Sequence, residues 1–214
     1  MKKNINCAIL IGFLVLVSFE IKAQSFYKGA FVLDANLGLE VVNTIAGVQN
    51  PSTSTNIIKN DRAGSFQFNV GFEYAVSKRI GIGIRYQRHN FISNDSVQPI
   101  SPVVYSNNFL AQLNLHAVTT KHFDLIIGAD AGLSLFNYND DFYGTGTHFS
   151  GYVNPRLYVG RFGFNLKLGL PFFKYNNLIA NHGTISNNQT FSLIGQPGFC
   201  LTVGVQYCFG KNNN

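Results

Sequence analysis

Charge is scarce in this sequence. Asp, Glu, Lys and Arg make up 12% of its 214 residues, about half the share usual for a soluble domain. Long apolar runs are scarce as well. A membrane helix needs about 20 predominantly apolar residues, and nothing beyond residue 23 supplies them. The best stretch, "LIIGADAGL" at 125–133, is interrupted by Asp130. Tryptophan is absent and cysteine occurs three times. Cys200 and Cys208 fall in one extended stretch, roughly 26 Å apart at ~3.3 Å per residue, against a disulfide reach of about 7 Å. They read as small packed residues rather than a redox pair. A chain short of surface charge and without a membrane helix has one remaining way to meet lipid, which is through strands.

The N-terminus reads as an export signal. Lys2 and Lys3 precede an apolar segment from Ala8 to Phe19, and Ala23 is a suitable small residue at the cut. Cleavage is expected after Ala23 or Gln24, leaving residues 1–23 as signal peptide and 24–214 as one domain. Cys7 precedes the apolar run, so it is not a lipidation site. Removing Lys2, Lys3, Lys22 and Glu20 leaves a net charge of 13 − 9 = +4. The basic residues are scattered, whereas nucleic acid calls for a clustered basic face; no nucleic-acid partner is expected.

What the sequence does contain is alternation. In "AFVLDANLGLEV", 30–41, Phe31, Leu33, Ala35, Leu37, Leu39 and Val41 share one face. Val32, Asp34, Asn36, Gly38 and Glu40 share the other. The pattern recurs at 66–76, 80–90, 108–118, 123–136, 162–173 and 198–209, and less cleanly at 149–160, where Pro155 would remove a ladder donor. Eight period-two segments of about ten residues are the signature of a membrane β-barrel. The connections alternate too. Long ones are expected at 42–64, 91–107, 137–148 and 174–197, and short ones at 77–79, 120–122 and Arg161-Phe162. Short periplasmic turns and longer external loops give that order.

Alternation alone does not say which face is inside. The polar faces are rich in Gly, Asn, Gln and Ser, which suit a narrow interior; a water-facing exterior would carry Lys and Glu. The apolar faces match the ~9 to 11 residues of a tilted membrane strand. Aromatics gather at strand ends, with Tyr74, Phe123, Tyr207 and Phe209 at one level and Phe66, Tyr86, Phe109, Phe172 and Phe199 at the other. The apolar face therefore meets lipid. The fold expected is a closed antiparallel eight-stranded transmembrane β-barrel with both termini periplasmic, in the cell outer membrane.

On these features the chain resembles the small eight-stranded outer-membrane barrels of the OmpX, OmpW and OmpA-transmembrane type, and the barrel-domain proteins common in Bacteroidetes. The resemblance covers residues ~26 to 209. It includes the last strand, "LTVGVQYCF", whose Val203, Val205, Tyr207 and Phe209 match the terminal alternation that the barrel assembly machinery reads; "GKNNN" after Phe209 departs from it. The resemblance implies architecture rather than activity, because small barrels host unrelated functions.

Parity places Asp34, Arg85, Asp130 and Lys167 in the lumen near mid-membrane, and Glu73, Asp124 and Arg156 in the lumen nearer the periplasm. A two-residue Arg161-Phe162 turn would set Arg156 opposite Lys167, with Asp34 or Asp130 as counter-charges. An eight-stranded interior is just wide enough for side chains to fill. The expectation is a polar plug, in a non-enzymatic protein acting through its external loops or as an envelope component. A narrow porin-like channel is the alternative, and a lipid A-modifying enzyme a second one. For that enzyme, His148 and Ser150 form a His-x-Ser pair, yet no acidic residue follows Asp141 and both point away from lipid. His89 and His116 face inward at opposite ends and cannot share a metal, so no metal and no cofactor are expected. Arg88 and Lys174, outward at the external rim, are candidate contacts for lipopolysaccharide phosphates. Outer-membrane lipid, lipopolysaccharide and the assembly machinery are the partners expected.

Overall fold

The computed structural model describes residues 26–50, 55–92, 104–138, 142–180 and 190–209. The expected signal segment, its cleavage site and "GKNNN" lie outside these residues. The described chain is eight strands: β1 (Phe31–Asn50), β2 (Thr55–Ala75), β3 (Ile80–Ile92), β4 (Val104–Thr119), β5 (Phe123–Tyr138), β6 (Phe142–Val159), β7 (Phe162–Ala180) and β8 (Thr190–Phe209). Each pairs antiparallel with the next, and β1 closes on β8 from Phe31 opposite Phe209 to Gln49 opposite Thr190. Closure leaves no unpaired sheet edge, the condition for strands to lie in hydrocarbon.

The alternation sorts the side chains as the pleat requires. On β3, Ile84 is 67% exposed while its neighbour Arg85 is 3% exposed. Every strand carries such an outward apolar row, including Leu37, Phe68, Ile84, Leu113, Leu133, Val153, Phe164 and Val203. The row circles the barrel. A continuous apolar belt of this kind is far larger than the few hundred Å² a soluble monomer exposes, and lipid is the solvent that covers it.

Two expectations about the connections are corrected. The segment 42–64 is not a loop: β1 and β2 stay paired up to Asn50 opposite Thr55, so the connection shrinks to 51–54. Likewise 137–148 and 174–197 are largely strand, leaving 139–141 and 181–189 between strands, and 91–107 shrinks to 93–103. Beyond the belt both faces can be wet, so pairing continues without alternation, and the alternation had been the signal for a strand. Nine residues of β1 beyond Val41 carry a ribbon roughly 30 Å past the belt. The second correction is the turn after β6. It is Gly160-Arg161, with Val159 opposite Phe162. Gly160 sits at φ 67°, a conformation that glycine adopts at little cost.

The prolines in strands find tolerant places. β6 runs through Pro155, and its register with β7 skips from Val153 to Arg156 there. Pro171 falls in the register shift between β7 and β8. In each case the missing N–H coincides with a gap in the ladder.

Candidate functional site: the filled lumen

The interior is stacked in three levels. At the end of the short turns, residues 26–30 fold back into the barrel mouth before β1 begins. Gly29 N–H donates to Ala75 O at 2.8 Å, and Ala30 N–H donates to Tyr27 O at 3.0 Å. Phe26 is thereby buried with Ala30, Val32, Ala75, Tyr158 and Cys208. Its ring stacks on His116 with centroids 3.3 Å apart.

Above this cork lies the charged level, in two groups. In the lower one Glu73 accepts from Arg156 Nη1 at 2.9 Å, and His116 bridges Glu73 (2.9 Å) and Asp124 (2.8 Å). In the middle one Asp130 Oδ2 accepts from Lys167 Nζ at 2.8 Å and from Arg85 Nη1 at 3.1 Å. Arg85 reaches Asp34 at 3.5 Å, and Asn36 donates to Asp34 and to Asn69. Lys167 lies 3.7 Å from the centre of the Tyr152 ring, whose hydroxyl donates to Asn114 at 2.7 Å. All seven residues placed in the lumen by parity, Asp34, Glu73, Arg85, Asp124, Asp130, Arg156 and Lys167, are buried there.

The third level is apolar again. Val42, Phe136, Phe173, Tyr175 and Leu178 pack together inside the barrel, with Phe91 and Leu193 against them. Tyr175 shares its hydroxyl with Ser134 at 2.6 Å. This lid sits where β1, β5 and β7 pass the outer edge of the belt.

The cross-strand neighbour of one charge differs from expectation. Arg156 faces Asn165, not Lys167, because the turn falls one residue earlier. The two cations sit in different groups, Arg156 on Glu73 and Lys167 on Asp130, which removes their mutual repulsion. Cys200 and Cys208 are both buried and free. Cys200 Sγ accepts from Gln67 Nε2 at 2.7 Å.

Some lumen residues escaped the sequence reading. Glu40 had the right parity but no obvious partner. His116 was placed inward without its two carboxylates. His89 meets His148 across the barrel, with ring centroids 5.4 Å apart. The segment before β1 has no alternation, so its cork had no signal. Outside, the Arg88 guanidinium lies over Tyr105, 4.3 Å from the ring centre, and its Nε donates to Asn90 at 3.2 Å. Lys174 is exposed on β7. Val203, Val205, Tyr207 and Phe209 all point outward on β8, and Tyr207 contacts both Phe162 and Phe209.

With eight strands closed, an apolar belt outside and a charged interior, the architecture can be compared with known ones. The chain is similar to outer membrane protein OprG from Pseudomonas aeruginosa, with a TM-score of 0.56 at 11% identity over 90% of this chain and all of that one. It is also similar to outer membrane protein AlkL, with a TM-score of 0.54 at 16% identity over 92% of this chain and 98% of that one. The fold is that of the small outer-membrane β-barrels. The barrel is an integral protein of the cell outer membrane, as its belt and fold together require. No family model and no curated protein matches the sequence.

Proposed function

We propose that this barrel is a non-enzymatic protein with a filled lumen, acting through its external hairpins or as a structural component of the envelope. The observation that carries the reading is the three-level interior, in which the Phe26 cork, the charged groups and the aromatic lid occupy the bore in turn. Beyond the belt, β1 and β2 present Asn43, Asn60, Asp61 and Arg62 to solvent. Arg88 and Lys174, facing outward near the external rim, suit the phosphates of lipopolysaccharide. The outward alternation of Val203, Val205, Tyr207 and Phe209 suits reading of β8 by the assembly machinery.

The enzyme reading draws little support. Ser150 and His148 are buried in the lumen, away from the lipid that would carry an acyl substrate, and neither histidine nitrogen has a hydrogen-bond partner among the described residues. A narrow channel is favoured by one observation. Asn165, Thr202 and Gln206, on the β7–β8 wall, carry buried polar atoms without partners among the described residues, the kind of group that water satisfies.

Single-channel conductance in planar bilayers separates the two. The filled-lumen reading expects no steady conductance from the folded mature chain, and openings once Phe26→Ala removes the cork and Phe173→Ala thins the lid. Steady conductance from the unaltered chain would replace the plug with a channel.

A further inference from the structure

Between the charged groups and the aromatic lid, His89 meets two side chains from other walls, Glu40 and His148. Glu40 comes from β1, His89 from β3 and His148 from β6, all at the upper edge of the belt. Each is at most 2% exposed. Among the described residues, both carboxylate oxygens of Glu40 and all four ring nitrogens of the two histidines lack hydrogen-bond partners. Six orphaned polar atoms in one buried place demand an occupant, since such groups are almost always satisfied by protein, water or an ion.

With all five lumen carboxylates ionised, the charge balance favours a cationic occupant. Among the described residues the lumen buries five carboxylates, Asp34, Glu40, Glu73, Asp124 and Asp130, against three cationic side chains, Arg85, Arg156 and Lys167. A protonated His116, held between Glu73 and Asp124, makes a fourth cation and leaves one negative charge over. Glu40 is the one carboxylate of the five with no charged hydrogen-bond donor.

Spacing adds to this. A four-coordinate ion with bonds of about 2.0 to 2.2 Å holds neighbouring donor atoms roughly 3.3 to 3.6 Å apart. Glu40 Oε1 and His89 Nδ1 are 3.5 Å apart, without hydrogen-bond geometry. The His89 and His148 rings stand at 87° with centroids 5.4 Å apart, close to the separation of two imidazoles on one metal. Among the described residues no three acidic, Cys or His side chains surround a common point as they stand, so an ion held here requires the His148 ring to turn toward Glu40 and His89.

We propose that Glu40, His89 and His148 bind one divalent first-row transition-metal ion at the top of the polar lumen. Two imidazoles and a single carboxylate suit Zn²⁺, Co²⁺, Ni²⁺ or Cu²⁺ rather than Ca²⁺ or Mg²⁺, which need more oxygen ligands. The ion ties β1, β3 and β6 together across the bore, directly beneath the lid. The proposal does not rest on the filled-lumen reading, since a channel could carry the same site.

The test refolds the mature chain from urea into detergent micelles with Co²⁺ or Zn²⁺ present, so that entry past the lid does not matter, and then removes loose metal. The result expected is one tightly held ion per barrel, visible d–d absorption for Co²⁺, and exchangeable, strongly contact-shifted ring N–H signals from two histidines. E40Q weakens binding at least tenfold and H89Q/H148Q abolishes it, each read on protein that keeps a heat-modifiable gel shift. The variant H122Q, at an exposed turn residue, keeps the full equivalent. A folded native barrel without a stoichiometric ion overturns the proposal, as does an ion that survives H89Q/H148Q. Should that double variant fail to fold, the histidine shifts of the native chain decide.

Discussion

Removing the Asp130 carboxylate is the sharpest test of a dry, filled interior. Asp130 Oδ2 accepts from both Lys167 and Arg85, at 2.8 and 3.1 Å, and all three side chains are nearly inaccessible. In Asp130→Ala, Arg85 keeps Asp34 at 3.5 Å. Lys167 loses its hydrogen-bonded counter-ion and keeps the face of Tyr152, whose ring centre lies at 3.7 Å. An ammonium stranded in a low-dielectric bore is costly: breaking one partner out of a buried pair typically costs about 3 to 5 kcal/mol. The second change Lys167→Met removes the stranded charge and should recover a good part of that loss, because an apolar side chain of similar length replaces a buried ion. The exposed Asp61, which accepts from the Arg62 backbone N–H at 2.8 Å, is the control, and Asp61→Ala should change stability by less than about 0.5 kcal/mol. Urea unfolding in lipid vesicles measures all three variants on one scale, with equal slopes required for the comparison. A loss below about 1 kcal/mol for Asp130→Ala is what a water-screened, surface-like pair would give. That result would refute the dry lumen, and the filled-lumen function would fall with it.

Two further variants test the walls. Gly132 and Gly151 are both strand glycines, but an added Cβ at Gly132 would collide with the Phe109 carbonyl and Leu110, while at Gly151 it meets nothing within 4 Å. Gly132→Ala should therefore destabilise by about 1 to 3 kcal/mol, and Gly151→Ala should be neutral or stabilise by about 0.4 to 1 kcal/mol, both read by the same urea titration. Leu37 is exposed at the middle of the outward row on β1, and Leu37→Arg should cost about 2 to 4 kcal/mol in a bilayer; a neutral result would mean that this face meets water.

Parity was the part of this fold that the sequence carried openly, and its success and failure have one cause. A side chain's face depends only on whether its position is odd or even, so Asp34, Arg85, Asp130 and Lys167 are placed inside by local pattern alone. Depth depends on the turns. Placing the turn after β6 one residue late moves the partner of Arg156 by two positions, from Asn165 to Lys167. Because two is the period of the pleat, that error leaves every face correct while changing which charges meet. The contacts across the bore are further removed still. His89 and His148 come from β3 and β6, which share no ladder, and they meet only because closure and stagger bring those two walls together at one height. The cork was hidden for the opposite reason. Phe26 precedes the first strand, where no periodicity marks a residue as inward, and its burial rests on a chain reversal at Gly29 (φ 84°). The composition of the lumen is thus written strand by strand, whereas its pairings are written in turns and shear. The charged network, the cork and the Glu40–His89–His148 cluster all belong to the second kind of information, and they are the features on which the choice between plug, channel and ion site depends.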